Sequence, residues 1–136
     1  MKLTKAEKDF VQSMRVVRVA TVDPEGIAHN VPVCPVVDKE SIYFASERNA
    51  RKVRNIKTNP HMALVFDEYT EAWDYLRGVM IQGTARIVKA AEFRRLRKQI
   101  YAKYPQYESK AAIGERDSVI IELKPERKFS WGITGK

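Results

Sequence analysis

The sequence has little of what disulfide-bonded, zinc-binding and membrane proteins require. Its 136 residues include one cysteine, Cys34, and two histidines, His29 and His61. One cysteine excludes an intrachain disulfide and a multi-cysteine metal site, and two histidines are too few for a convincing zinc centre. No stretch reaches the roughly 18 uninterrupted apolar residues of a membrane helix, and the charged N-terminus lacks a signal core. We therefore expect a cytoplasmic protein with no metal centre.

Catalytic motifs are also missing. Neither histidine has a partner that the sequence places for a nucleophilic triad, and no glycine-rich phosphate loop is present. No catalytic residue is therefore predicted. The length, with 44% hydrophobic and 31% charged residues, favours one globular domain over residues 1–136.

The charge balance leaves two kinds of partner open. The net charge is +8, and a basic protein attracts polyanions, nucleic acid above all. A cluster on one predicted helix supports that alternative: Arg94, Arg95, Arg97 and Lys98. A phosphate-bearing cofactor also requires local positive charge, and composition alone does not choose between the two.

Alternating and β-branched segments predict about six strands, joined mostly by short connections. The predicted strands are 16–22, 27–33, 41–45, 61–66, 77–89 and 118–123, with a short terminal strand at 129–131. Helices are predicted at 4–14, after a cap at Asn49, and at 90–104. Pro32 places its strand at an edge or a bulge, and Gly83 suggests a bulge. Short links favour antiparallel pairing, so we expect a mainly β (α+β) fold, a six-stranded antiparallel barrel with peripheral helices.

Two local features point to an anion. Arg18 lies in an otherwise apolar strand predicted to be buried on both faces, where a charge is costly unless it is paired; the partner is either a phosphate or a carboxylate such as Asp67. Arg51 and Lys52 lie in the first turn of a helix, where cations oppose the helix dipole. A bound anion would resolve that conflict, and a solvated basic turn is the alternative.

Two further side chains have open interpretations. Trp131 is either a core aromatic or an arm that reaches a second subunit, since chain ends are free to leave their own domain. Gln82 either binds a ligand or faces solvent.

Five segments, taken in order, resemble the pyridoxamine 5′-phosphate oxidase-related FMN-binding split-barrel superfamily. They are Arg-Val-Ala-Thr-Val at 18–22, His-Asn-Val-Pro-Val at 29–33, the basic helix at 50–56 with Asn-Pro at 59–60, the strand at 77–83, and the segment 125–131. The resemblance covers most of the chain and implies a split barrel that dimerises, with FMN held at the subunit interface.

The resemblance also implies three groups of cofactor-binding residues and one aromatic from the partner subunit. Those expected to bind the phosphate are Arg18, Arg51 and Lys52. Those expected along the flavin ring are Val19, Ala20 and Thr21. Those expected beside the ribityl-phosphate are Ala45 and Ser46, and the aromatic expected from the partner subunit is Trp131.

Three departures from the oxidase pattern change the expected activity. Ala50 replaces a serine that contacts the phosphate, Gly78 replaces a glutamine that contacts the flavin, and the Arg-rich terminal segment of the oxidase is not seen after Trp131. We therefore expect an FMN-dependent oxidoreductase whose small-molecule substrate is not pyridoxamine 5′-phosphate. The alternatives are a reductase using the deazaflavin coenzyme F-420, a non-catalytic flavin-binding protein, and a basic nucleic-acid-binding module.

Overall fold

Seven antiparallel strands form one curled sheet in the computed structural model, which describes residues 1–133. The strands are β1 (Val17–Val22), β2 (Ala28–Val33), β3 (Val36–Asp38), β4 (Ser41–Glu47), β5 (His61–Glu68), β6 (Arg77–Ile87) and β7 (Ser118–Trp131). Their order across the sheet is β2-β1-β5-β6-β7-β4-β3. The helices are α1 (Lys5–Ser13), α2 (Arg51–Thr58), α3 (Ala90–Lys103) and α4 (Gln106–Lys110), with a 3₁₀ turn at Trp73–Tyr75. No helix among residues 1–133 is both long and apolar enough to cross a bilayer.

The mainly β split-barrel architecture is confirmed, but the strand count is seven rather than the predicted six. Strand β3 has only three residues, too few to show an alternating pattern. The predicted strands at 118–123 and 129–131 are one strand, β7. Pro125 interrupts their pattern, but the ladder shifts register between Gln82 and Gly83, so pairing continues past the proline.

Glycine is required at the predicted bulge because two backbones approach closely there. A Cβ on Gly83 would overlap the carbonyl oxygen of Lys124 across the ladder. The helix caps are only partly as predicted. Thr4 and Glu7 form the expected capping box at the start of α1, whereas α2 is capped by Ala50 rather than by Asn49.

The core lies in two clusters on opposite sides of β4 and β7. Inside the curled sheet, Phe44 packs with the interior residues of the other strands. On the opposite side, its neighbour Tyr43 packs beneath the apolar stripe of α3. Helix α3 lies over β3, β4 and β7, whereas outward-facing residues of the other strands, such as Arg18 and Gln82, are exposed among residues 1–133.

That outward-facing side of β2, β1, β5, β6 and the end of β7 is here called the open face. One row of directly opposed residues crosses it, namely Pro32, Arg18, Val65, Met80 and Phe129. The expectation that β1 is buried on both faces is therefore wrong, since Arg18 is exposed between buried Val17 and Val19. The prediction of an edge position for Pro32 is confirmed, because β2 is an edge strand.

Candidate cofactor site

A groove of about 820 Å³ opens where β2 and β4 face one another across the split in the sheet. We call it the edge groove. Its β walls are Pro32 and Val33 from β2 and Ala45 and Ser46 from β4, and Asn49, Ala50 and Lys52 line it at the start of α2. The opposite wall comes from Tyr107 of α4 and from residues 111–113 and 116–118. Its volume lies within the range of small-molecule sites.

Lys52 is the main electrostatic feature of the edge groove. Its side chain is half-buried, and it forms no ion pair with another side chain of residues 1–133. Burial lowers the pKa of its ammonium group, and the nearby Glu47 carboxylate only partly opposes this. A partly desolvated cation without a partner is costly, and an anionic ligand in the groove would remove that cost.

The start of α2 adds further donors at the same end of the groove. Ala50 is the N-cap, and its methyl side chain cannot accept a hydrogen bond from the first turn. The first turn contains no acidic residue, so the positive end of the helix dipole is not offset locally. The Ser46 hydroxyl lies alongside, donating to the Glu47 carbonyl at 3.1 Å. Arg51 is exposed in the same turn but does not line the groove.

The β1 residues lie away from the edge groove. Arg18 pairs with Asp67 at 3.1 Å on the open face, with both side chains about half exposed, so the carboxylate alternative is the one present in the structure. Val19 is buried in the core. Thr21 is also buried, and its hydroxyl accepts a hydrogen bond of 3.0 Å from Asn55 of α2. The side chains of Val19 and Thr21 therefore contribute to packing, and Thr21 fastens α2 to the sheet.

Ala20 lines a second, smaller groove of about 380 Å³ on the open face. Gln82 is exposed and lines the same groove. The structure thus brings Ala45, Ser46 and Lys52 together, while Arg18 and Ala20 lie on the open face and Val19 and Thr21 are buried.

Trp131 packs against its own chain. It is directly opposite Gly78 in the β6–β7 ladder, and a Cβ on Gly78 would overlap its indole ring. The glycine therefore leaves the indole room to lie over the β6 backbone. Phe129 lies beside it, with 5.8 Å between ring centroids, so the two rings extend the apolar part of the open face.

The sequence did not indicate the wall of the groove formed by α4 and residues 111–118. Arg48 holds this wall in place, because its guanidinium donates to the carbonyls of Glu115 and Arg116 at 2.9 Å each. Cys34 also lines the groove. The short helix α4 has too few residues for a periodic pattern, and contacts of Arg48 across more than 60 residues leave no local signal.

The basic cluster of α3 is largely engaged within the protein. Arg94 pairs with Glu115 at 3.4 Å and Arg95 with Asp38 at 2.9 Å. Arg97 donates to the Ile113 carbonyl at 3.0 Å. Internal partners reduce the positive charge that this helix presents to a polyanion.

Residues 3–132 match the sequence model of the pyridoxamine 5′-phosphate oxidase family, so the chain belongs to that family. One relative is the 5a,11a-dehydrotetracycline/5a,11a-dehydrooxytetracycline reductase of Streptomyces rimosus. It is 29% identical over 140 residues, covering 99% of this chain and 87% of that protein.

Solved structures show the same fold. An Agrobacterium tumefaciens protein of unknown function has a TM-score of 0.83 at 16% identity, over 96% of this chain and 56% of that one, so this chain spans about half its length. An FAD-binding protein from Mesorhizobium loti has a TM-score of 0.76 at 16% identity, over 94% and 93% of the two chains. Proteins of this family typically bind a flavin, and the fold is that of flavin-type oxidoreductases.

Proposed function

We propose that this protein is an FMN-dependent oxidoreductase and that FMN binds in the edge groove. The observation that carries the proposal is Lys52, a half-buried cation without an ion-pair partner among residues 1–133, beside an uncapped helix start. FMN ends in a phosphate dianion, which such a site complements. In FAD that phosphate is joined to a second phosphate in a pyrophosphate and keeps a single negative charge, so FAD is expected to bind less tightly.

Flavin, when bound, supplies the hydride chemistry, and the protein supplies binding and orientation. Lys52 and the first-turn N–H groups of α2 neutralise the phosphate. Arg51 adds long-range attraction from its exposed position. Ala45 and Ser46 flank the chain that joins phosphate to ring, and Pro32 and Val33 offer an apolar wall.

A second subunit is part of this proposal. Pro32 lines the edge groove and also begins the row of residues that crosses the open face, so a partner seated on the open face would also cover the groove. Half-buried Val65 and Met80 and exposed Phe129 provide its apolar surface. A two-fold axis would create two equal sites from one self-complementary patch. Trp131, at the margin of the open face, is then positioned to reach the partner's flavin.

The substrate is proposed to be a small organic molecule that the flavin reduces. The similarity to a reductase over nearly the whole chain supports reduction rather than a purely carrier role. The deazaflavin coenzyme remains the alternative cofactor, because the same basic site would accept its phosphate.

Spectroscopy of the freshly purified protein tests the cofactor. We expect a flavin absorbance spectrum, and mass spectrometry of the released chromophore should identify FMN. Titration of the stripped protein should rank FMN above both FAD and riboflavin, and nicotinamide nucleotides should reduce the bound flavin. A haem spectrum, a released deazaflavin or a preference for FAD would each reject the proposal.

Sedimentation tests the second subunit. We expect a dimer at micromolar concentration and weaker FMN binding by Trp131→Ala with the dimer intact. A monomer that binds FMN tightly and stoichiometrically would show that one chain is sufficient.

A further inference from the structure

The loop between β5 and β6 exposes three large aromatic side chains. Tyr69, Trp73 and Tyr75 are 62%, 71% and 74% exposed. Aromatic rings usually contribute their large apolar area to a core or an interface. These three line none of the grooves found among residues 1–133 and belong to neither core cluster, so neither the fold nor the cofactor site accounts for them.

Hydrogen bonds hold two of the rings and one carboxylate in a defined arrangement. The Trp73 Nε1–H donates to the Tyr69 hydroxyl oxygen at 3.2 Å. That hydroxyl donates in turn to the Glu71 carboxylate at 3.2 Å. Trp73 also begins the 3₁₀ turn, which fixes its backbone. The polar edges of both rings are therefore satisfied, while most of each side chain stays exposed.

The charge of the loop is opposite to that of the protein. Between β5 and β6 and at the adjoining strand end lie four acids and no base, in a chain of net charge +8: Asp67, Glu68, Glu71 and Asp74. The first two pair with arginines of β1 and β6 at 3.1 and 2.9 Å. Glu71 and Asp74 have no cationic partner among residues 1–133. Glu71, which is bonded to Tyr69, and Asp74, which follows Trp73 in the chain, therefore give the loop negative charge.

We propose that the β5–β6 loop is a binding site for an organic ammonium cation, an alkylated or protonated amine. Aromatic faces attract such cations through the ring quadrupole, and Glu71 and Asp74 supply the complementary charge. A carboxylate would not assist a neutral aromatic ligand in the same way. The loop lies on a different part of this chain from the edge groove.

The loop alone offers less apolar area than an interface with a second copy of the chain would bury. Three aromatic side chains at this exposure offer roughly 400 Å², whereas a stable protein interface buries about 800 Å² on each partner. The loop begins where Asp67 pairs with Gly78, which itself pairs with Trp131. A bound amine would therefore lie at the Trp131 end of the open face.

Calorimetric titration with benzyltrimethylammonium tests the proposal, with benzyl alcohol as the neutral probe. We expect saturable binding of the cation, at least tenfold tighter than that of the alcohol. Glu71→Gln should weaken cation binding about three- to tenfold and Trp73→Leu at least tenfold. Glu108→Gln, an exposed acid on α4, is the matched control and should change nothing.

Because all the substituted side chains are exposed, the variants are expected to keep the thermal unfolding midpoint of the unaltered protein. Equal affinity for the alcohol and the cation would overturn the role of charge. A Glu108→Gln effect as large as that of Glu71→Gln would show non-specific attraction. Dissociation of a dimer by Trp73→Leu would make the loop a subunit contact instead, and an absence of saturable binding would end the proposal.

Discussion

Replacing Lys52 with methionine is the sharpest test of the edge groove, because this change keeps most of the buried stem and removes only the charge. A hydrogen bond to a charged group contributes about 1.5–3 kcal/mol. FMN affinity is therefore expected to fall roughly 10- to 150-fold, at 1.4 kcal/mol per tenfold change. Lys52 is half-buried and Arg51 exposed, so Lys52 should lie in the upper part of that range and Arg51→Ala at or below its lower end.

The stability of the stripped protein should respond in the opposite direction. Burial disfavours the charged ammonium, which is why the pKa of Lys52 is lowered. Removing that charge is expected to leave the free energy of unfolding unchanged or higher. Lost FMN affinity would then not be attributable to a damaged fold.

Quenching of flavin fluorescence on titration of the stripped protein measures the affinity. Riboflavin lacks the phosphate and should bind the unaltered protein and Lys52→Met equally. Lys57→Met, at the exposed last turn of the same helix, is the matched control and should retain FMN affinity. Equal losses for FMN and riboflavin, or an equal loss in the Lys57 variant, would refute the assignment of a phosphate site to Lys52.

Three other predictions concern the framework of the site. Burial raises the pKa of Glu7, but its hydrogen bonds outweigh that effect and bring the pKa down to about 2. Glu7→Gln should therefore cost up to about 3 kcal/mol of unfolding free energy at pH 7. This cost should fade as the pH falls from about 4.5 to about 2. A substitution that shifts the denaturant curve equally at pH 7 and at about pH 2 would contradict this. Gly78→Ala should displace the Trp131 indole, cost about 1–3 kcal/mol and shift tryptophan emission; an unchanged spectrum would count against the contact. Asn55→Ala should lower the free energy of unfolding in urea by about 1–3 kcal/mol, because the buried Thr21 hydroxyl loses its partner. An unchanged free energy of unfolding would show that this hydrogen bond does not stabilise the fold.

Features that depend on neighbouring residues were predictable from the sequence. The capping box of Thr4 and Glu7 requires only residues three apart. Pro32 lacks an N–H group, so an edge or bulge position followed from its chemistry. The bulge at Gly83 followed similarly, and the order of short segments was sufficient to indicate the family.

Features that depend on distant partners were decided only by the tertiary structure. The sequence left Arg18 between a phosphate and Asp67, and the β1–β5 pairing brings it to a carboxylate 49 residues away. The family resemblance places Thr21 along the flavin ring, and that role stays a prediction; only the packing of α2 shows that its hydroxyl accepts a hydrogen bond from Asn55.

The edge groove likewise combines features that the sequence predicted with features that only the tertiary structure decided. The sequence predicted an anion near Ser46 and Lys52, because a helix start with cations in its first turn is a local pattern, and the family resemblance added Ala45. The sequence did not show that β2 and α4 supply the opposing walls, since those segments meet β4 only when the sheet curls and α3 covers one side of it. Local stereochemistry determined the elements of this protein, and long-range packing determined which of their side chains share a site.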